Sequence, residues 1–184
     1  HGVGMVPRYV SSLLNDELQL NRRVDIAHDA GTLVTVDGRR GIGQSVTHQA
    51  MEIAIERARS HGVCVMGLKN AHHIGRIGHW AEQAVAAGMV SVHFVNAMST
   101  PVVAPFRGSQ ARYVTNPFTV GIPVPGREPL LLDFATSAIA MGKVRVAYNS
   151  GKTVPGQMLM DAQGEYTDDP AALLRPSSSS VLPS

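Results

Sequence analysis

The apolar residues at the start of the chain follow a helical period only over a short stretch. Val10, Leu13 and Leu14 lie on one face of a helix with 3.6 residues per turn, which predicts a short helix over residues 7–14. Residues 16–30 mix apolar and polar side chains without a period, so we predict a loop there.

The next segment changes from the pattern of a strand to that of a helix. Residues 32–36 alternate and stop at the turn dipeptide Asp37-Gly38, which predicts a strand followed by a turn. Over residues 45–60 the apolar positions follow the helical period, and Gly62 favours a helix end. We therefore predict a long helix here, with Ser45 as its N-terminal capping residue.

Short apolar runs alternate with helical segments along the rest of the chain. The apolar run over residues 63–68 is typical of a strand that is covered on both faces. The later elements predicted are a helix over 79–87 ended by Gly88, and strands over 89–95, 119–124 and 130–134. Such alternation of strands and helices indicates an α/β fold with a sheet and flanking helices.

Composition excludes several classes of protein. Hydrophobic residues make up 44% of the 184 residues and charged residues 16%, which excludes an intrinsically disordered chain. The formal net charge is only +2, so no nucleic-acid partner is predicted. No apolar stretch approaches the roughly 20 residues that cross a bilayer, so no membrane partner is predicted. The single cysteine, Cys64, excludes an internal disulfide and fits a reducing compartment such as the cytoplasm.

A change in composition near residue 175 predicts a domain boundary. Residues 176–184 are rich in Ser and Pro and follow neither a helical nor a strand period. We therefore predict one partial domain over residues 1–174 and a disordered tail over residues 175–184.

Three histidines in one segment allow more than one interpretation. His72, His73 and His79 could in principle bind one zinc ion, which would indicate a zinc-dependent hydrolase. However, adjacent side chains on an extended segment point to opposite faces, and the cluster contains no carboxylate or thiolate. Alternatively, one histidine of the pair faces a pocket at the carboxyl end of strand 63–68, or the pair is purely structural. We predict that no metal is bound.

Three further segments combine polar and small residues. Gly41-Ile42-Gly43 resembles the start of a dinucleotide-binding fingerprint but lacks the third glycine, so we interpret it as a flexible helix entrance. Asp133 ends an apolar strand and could bind a ribose hydroxyl or orient a histidine, while Thr136 or Ser137 could simply cap a helix. Asn116 precedes a proline, which favours extended geometry, and it could hold a substrate carboxylate or a cofactor amide.

Four motifs, in their order along the chain, resemble the malate/L-lactate dehydrogenase family. They are His1-Gly2-Val3 with Arg8-Tyr9, Asn70-Ala71-His72-His73-Ile74-Gly75-Arg76-Ile77-Gly78-His79-Trp80, Thr115-Asn116-Pro117 and Asp133-Phe134-Ala135-Thr136-Ser137. The similarity runs from residue 1 to about residue 174. It implies the family's α/β fold, a mixed sheet with flanking helices that is not a Rossmann fold, here truncated at both ends.

The resemblance also implies roles for individual residues. His1 and His73 match two histidines for which acid/base roles in catalysis are proposed, and an imidazole suits that task because its pKa lies near 6.5. The cofactor contacts that the resemblance implies are His73, Ile74, Gly75, Arg76, Ile77, Asp133, Phe134 and Ala135. The substrate contacts that it implies are Arg8, Tyr9 and Asn116.

The function implied by the resemblance is hydride transfer between a small 2-hydroxy or 2-oxo acid and NAD or NADP. Malate, lactate and ureidoglycolate are examples of such acids, and the family consists of homodimers. In the family a serine precedes the first histidine, and a Gly-Lys-Gly segment that holds the cofactor follows the part matched here. We therefore expect the 184-residue chain by itself to be inactive. A non-catalytic oligomerisation or binding module is the alternative from outside the enzymes.

Overall fold

The computed structural model describes residues 2–174 and 181–184. After a 3-10 turn over Gly2–Met5, the helices are α1 (Val6–Leu14), α2 (Gly43–His61), α3 (Gly78–Ala86), α4 (Met141–Asn149) and α5 (Ala171–Leu174). The strands are β1 (Asp25–Ala30), β2 (Leu33–Gly41), β3 (Val65–Ala71), β4 (Ser91–Phe94), β5 (Phe118–Ile122), β6 (Leu130–Phe134), β7 (Leu159–Met160) and β8 (Tyr166–Thr167). Within the described residues, no helix is long and apolar enough to span a membrane.

The chain divides into two compact units. The first runs to Val92 and includes Val120–Leu132, and the second consists of His93–Thr119 and the chain from Asp133 onward. The sheets have the strand orders β1-β2-β3, β4-β5-β6 and β7-β8. Strands β2 and β3 are parallel and connected through α2, while β1 is antiparallel to β2. The predicted α/β fold with a mixed sheet and flanking helices is therefore confirmed.

Strands β1 and β2 correct two predictions. The segment 16–30, predicted as a loop, contains β1, whose six residues are all exposed and whose order comes from backbone pairing with β2. The predicted turn at Asp37-Gly38 lies inside β2, where Asp37 pairs with Asp25 of β1 and with Lys69 of β3. Pairing on both sides of β2 therefore outweighs the local turn preference of this dipeptide.

The core of the first unit lies between its sheet and α2. Val34 and Val36 of β2 are completely buried and pack with Ala50 of α2. In β3, Met66 packs against this core, whereas Val65 is 61% exposed. The expectation that residues 63–68 are covered on both faces is therefore wrong in this structure, since the strand alternates between a covered and an open face.

Helix α2 begins before its predicted capping residue. Its N-cap position is Ile42, without a side-chain capping bond, so the prediction that Ser45 caps the helix is wrong. A Cβ on Gly43 would collide with the backbone oxygens of His72 and His73. A glycine at this position therefore allows the helix to approach the histidine segment closely. At the other end, Gly62 ends the helix in a left-handed conformation with φ 82°, as predicted.

The core of the second unit includes residues from near the end of the chain. Its buried cluster consists of Val103, Val144, Val154, Leu159 and Leu182. The Leu182 N–H donates to the Val102 carbonyl, and the Leu182 carbonyl accepts from Ala104. The predicted disordered tail lies outside the described residues over 175–180. For Val181 and Leu182 the prediction is wrong, because both residues are completely buried.

Candidate functional site

The loop between β3 and α3 carries the histidine pair, and contacts on both sides fix its course. At its start, the His72 N–H donates to the Gly41 carbonyl over 3.2 Å. Further along, the indole Nε1 of buried Trp80 donates to the Ile74 carbonyl over 3.1 Å. Gly75 has a φ of 81°, which favours glycine and turns the loop towards α3.

Tyr9 of α1 and Gln44 of α2 form a hydrogen-bonded chain that ends on His73. The Tyr9 hydroxyl lies 2.7 Å from the His73 Nδ1, and the Gln44 Nε2 donates to the same hydroxyl over 2.9 Å. The Tyr9 ring also meets the His72 ring edge-on, with centroids 5.4 Å apart. The structure therefore brings two of the predicted site residues, Tyr9 and His73, into direct contact.

The surroundings of the histidine pair disfavour the charged imidazolium. Burial lowers the pKa of His73, and the positive charge of Arg8 lowers it further, together with smaller effects of His72 and the N-terminal amino group. Burial and Arg8 likewise lower the pKa of His72, against a smaller opposing effect from Glu17. The His73 imidazole is therefore neutral at pH 7 and able to accept or donate hydrogen bonds.

A groove of about 670 Å³ lies beside the loop. Three predicted cofactor contacts, Ile74, Gly75 and Arg76, line it together with Gln44. Arg76 donates to both carboxylate oxygens of Glu82 on α3, over 2.7 and 2.6 Å. Ile77, the next predicted cofactor contact, is only 4% exposed and is the N-cap residue of α3.

Asp133 and Phe134, two further predicted cofactor contacts, lie in the second unit. The Thr119 Oγ1 donates to the Asp133 Oδ1 over 2.9 Å, and Thr119 is completely buried. Burial lowers the pKa of His93, while the Asp133 carboxylate partly opposes that shift. The ring of Phe134 meets that of Phe118 edge-on, with centroids 5.8 Å apart. Asp133 is therefore an acceptor whose orientation is set by a buried hydroxyl.

The neighbourhood of Asn116 differs from the sequence-based expectation. Asn116 has a φ of 25°, so its expected extended geometry is wrong, and its Oδ1 accepts from the Ala97 N–H over 3.0 Å. This side-chain bond stabilises the turn. Its Thr136 neighbour donates to the carbonyls of Thr115 and Asn116, each over 3.2 Å.

The proposed helix-capping role of the hydroxyls after Asp133 is also wrong. Helix α4 begins at Met141, its N-cap position is Ala140, and no side-chain capping bond is present. Instead, the Ser137 hydroxyl donates to the Ile139 carbonyl over 2.8 Å. The small residue Ala135, the last predicted cofactor contact, is partly buried next to this segment.

The remaining site predictions have different outcomes. His1 lies outside the described residues. Arg8 is exposed and acts on the histidine pair through its charge. No group of three His, Cys, Asp or Glu in the described part of the chain could hold a metal ion. His79 instead lies 3.7 Å from a Glu82 carboxylate oxygen and against the Trp80 ring.

Sequence reasoning missed two residues that support this site. Gln44 directly follows the predicted helix entrance Gly41-Ile42-Gly43 and was given no role, and Thr119 was predicted only as part of a strand. A polar side chain in an otherwise apolar predicted strand was the available signal for Thr119. No local signal distinguished Gln44, because its partner lies on another helix.

Comparisons with known proteins show which family model and which relatives this chain matches. A family model described as malate/L-lactate dehydrogenase matches residues 1–184. Hydroxycarboxylate dehydrogenase B of Escherichia coli O157:H7 is 51% identical over 173 residues, which are 94% of this chain and 48% of that protein. L-lactate dehydrogenase of Cupriavidus necator is 41% identical over 185 residues, covering 100% of this chain and 53% of that protein.

The fold of this chain also matches that of a solved structure. The crystal structure of delta1-piperideine-2-carboxylate reductase from Pseudomonas syringae pvar. tomato matches with a TM-score of 0.88 and 32% identity, covering 100% of this chain and 54% of that one. The chain thus spans about half the length of the curated relatives that it matches. On the family model and these relatives, the chain belongs to the malate/L-lactate dehydrogenase family.

Proposed function

We propose that this chain is part of a dehydrogenase that transfers a hydride between C2 of a small 2-hydroxy or 2-oxo acid and the nicotinamide of NAD or NADP. Membership of the family supports the proposal. The two relatives compared above support it as well, since one is named a hydroxycarboxylate dehydrogenase and the other an L-lactate dehydrogenase. The acid is therefore the substrate class, and NAD and NADP are the two candidate cofactors.

The observation that carries the proposal is the contact between the Tyr9 hydroxyl and the partly buried ring of His73. Oxidation of a 2-hydroxy acid removes the proton of its hydroxyl, and reduction of a 2-oxo acid places a proton on the new alkoxide. A neutral imidazole held at that oxygen can exchange the proton or donate a hydrogen bond to the developing charge. The contact of 2.7 Å with Tyr9 orients the ring for either task.

Each of the two units contains residues of the kinds that hold a nicotinamide cofactor. The groove beside residues 74–76, at about 670 Å³, falls within the range of typical ligand sites. Gly75 presents backbone without a side chain at its wall. Asp133, oriented by Thr119, is the type of acceptor that binds a ribose hydroxyl. Bound nicotinamide would supply the hydride chemistry, while the chain's residues hold the substrate and handle the proton.

Assembly and location are parts of the same proposal. The resemblance to the family implies a homodimer in the cytoplasm. Light scattering after size-exclusion chromatography would measure the assembly, and a mass equal to one chain would contradict the homodimer.

A chimera tests the activity, because relatives have about twice the length of this chain. In the chimera, these residues replace the matching half of the E. coli hydroxycarboxylate dehydrogenase B. We expect it to bind NADH or NADPH and to oxidise lactate, malate or another 2-hydroxy acid. The isolated 184-residue chain, which we expect to be inactive, serves as the comparison. A folded chimera that binds neither cofactor would refute the proposed function.

Two histidine variants of the chimera test the role of His73. We expect His73→Ala to lower kcat by about 100-fold, the usual scale for a lost proton-handling group. His61→Ala, at the exposed end of α2, is the matched control and should retain the rate. Equal rates in both variants would exclude His73 from the reaction.

A further inference from the structure

We propose that Tyr9 and Gln44 are positioning residues that hold His73 in one tautomer, with its proton on Nε2, so that His73 acts as a hydrogen-bond donor to the C2 oxygen. The inference rests on the proposed function, since it assigns a specific task to His73 in that reaction. It also gives His73 a role different from the acid/base role proposed for the other histidine, His1. A ring fixed as a donor polarises the 2-oxo group, and removal of the hydroxyl proton is then left to another residue.

Counting donors and acceptors along the chain of hydrogen bonds leads to this tautomer. The Gln44 amide donates to the Tyr9 oxygen over 2.9 Å. The other contact of this hydroxyl, over 2.7 Å, is with the His73 Nδ1, and the proposal directs the one hydroxyl proton of Tyr9 to that nitrogen. A ring nitrogen that accepts a hydrogen bond carries no proton, so the proton of the neutral ring must be on Nε2.

The three groups lie on three separate elements of the chain. Tyr9 lies on α1, where its ring packs edge-on against His72. Gln44 is the second residue of α2, directly after Gly43, whose position is set by the His72 and His73 carbonyls. The Gln44 side chain also lies within van der Waals distance of the position that a Cβ on Gly75 of the loop would occupy. Tyr9, Gln44 and His73 therefore come together from α1, the start of α2 and the loop after β3.

The electrostatic surroundings keep His73 neutral, which the tautomer assignment requires. Arg8, His72 and the N-terminal amino group act on His73 through their charges, and all three disfavour a second proton on its ring. Burial acts in the same direction and is the largest cause of the lowered pKa of His73. A hydrogen bond from Tyr9 to the unprotonated Nδ1 favours the neutral ring as well.

Nitrogen-15 NMR of the 184-residue chain with labelled histidine tests the assignment without any activity. The two ring nitrogens of His73, assigned with the variant His73→Gln, report which of them carries the proton. At pH 7 we expect protonated Nε2 and unprotonated Nδ1 in the wild-type chain. A wild-type ring with its proton on Nδ1 would overturn the proposal.

Two substitutions change the hydrogen-bonded chain in different ways. Tyr9→Phe removes the donor to Nδ1, so we expect a mixture of tautomers and a His73 pKa that rises towards its ordinary value. Gln44→Glu is isosteric, and its carboxylate would accept the Tyr9 proton. Tyr9 would then accept from His73, so we expect the proton to move to Nδ1. Retention of the Nε2 proton in Gln44→Glu would contradict the proposed direction, even where Tyr9→Phe fails to fold.

A control variant and the cofactor assay distinguish the possible failures. Tyr148→Phe removes a hydroxyl from a side chain that is 49% exposed on α4, and it should leave the His73 signals unchanged. An equal change in Tyr148→Phe and Tyr9→Phe would show a general structural effect and overturn the inference. If the chimera binds no nicotinamide while the tautomer is as expected, the proposed function fails and the donor role fails with it. If it binds and the tautomer differs, only the present inference fails.

Discussion

The carbonyl oxygen of His73 lies so close to the position of a Cβ on Gly43 that the two atoms would overlap. The His72 carbonyl lies almost as close to that position. Both obstacles are backbone atoms, so they cannot rotate away as a flexible side chain could. The contact therefore sets how closely the start of α2 approaches the loop that carries the histidine pair.

Replacement of this glycine should destabilise the protein. We expect Gly43→Ala to lower the free energy of unfolding by about 1–3 kcal/mol, the usual cost of overpacking a closely packed site. The measurement is urea-induced unfolding followed by circular dichroism. Gly142→Ala in α4 is the matched control, because a Cβ there meets no atom within 4 Å. It should be neutral or stabilising by up to about 1 kcal/mol, as alanine favours helices.

The stability of the chain should fall in mildly acidic solution. Burial is the main cause of the lowered pKa of His72, His73 and His93. The unfolded chain therefore binds protons at these groups more tightly than the folded protein does. Their contribution is complete above about pH 6.5 and is lost as the pH falls from there through the folded pKa values.

Urea-induced unfolding at roughly pH 7.5, 6.5 and 5.5 measures this dependence, because these values bracket the ordinary pKa of histidine. The two aspartates with a lowered pKa, Asp29 and Asp37, stay ionised over this range, because backbone hydrogen bonds hold the pKa of both below 3.8. A replacement of His73 by Gln should reduce the slope between pH 7.5 and 5.5. Equal stability of the wild-type chain at these two pH values would contradict the prediction.

Removal of the buried Thr119 hydroxyl should weaken the second unit. Thr119→Val keeps the shape of the side chain but removes the donor to Asp133. We expect a loss of about 1 kcal/mol, the usual net contribution of one hydrogen bond, in the free energy of unfolding. In the chimera we also expect weaker cofactor binding, measured by NADH fluorescence. A variant as stable as the wild type would argue against a structural contribution of this bond.

The same substitution at Thr47 should have the opposite effect. Thr47 is only 4% exposed, and its Oγ1 has no hydrogen-bond partner among the described residues. Burying an unpaired hydroxyl costs free energy, so Thr47→Val should stabilise the chain by about 1 kcal/mol. The two threonine variants can be compared under identical unfolding conditions. Destabilisation of Thr47→Val would indicate that its hydroxyl is paired in solution.

Trp80 should influence the loop through one hydrogen bond. Trp80→Phe keeps an aromatic ring in the core but removes the donor to the Ile74 carbonyl. We expect faster amide hydrogen exchange over residues 74–77, together with a stability loss of about 1–3 kcal/mol from the unpaired carbonyl and the lost volume. Unchanged exchange in this loop would show that other contacts hold it.

The strongly periodic segments could be predicted from sequence alone. The helix predicted over residues 45–60 is present as Gly43–His61, and the strands predicted over 119–124 and 130–134 are present as Phe118–Ile122 and Leu130–Phe134. Helical hydrogen bonds form within one segment, and both strands were visible as short apolar runs. Both signals are therefore local, and the order of the four motifs was sufficient to indicate the family.

Tertiary structure decided the features that depend on distant partners. Asp25–Ala30 is exposed at every position, so only pairing with its neighbouring strand makes it a strand. Tyr9 is separated from Gln44 by 35 positions and from His73 by 64. No local pattern relates residues so far apart, although motif resemblance indicated that two of them belong to the site. Their mutual contact arises only because packing brings α1, the start of α2 and the histidine loop to one place.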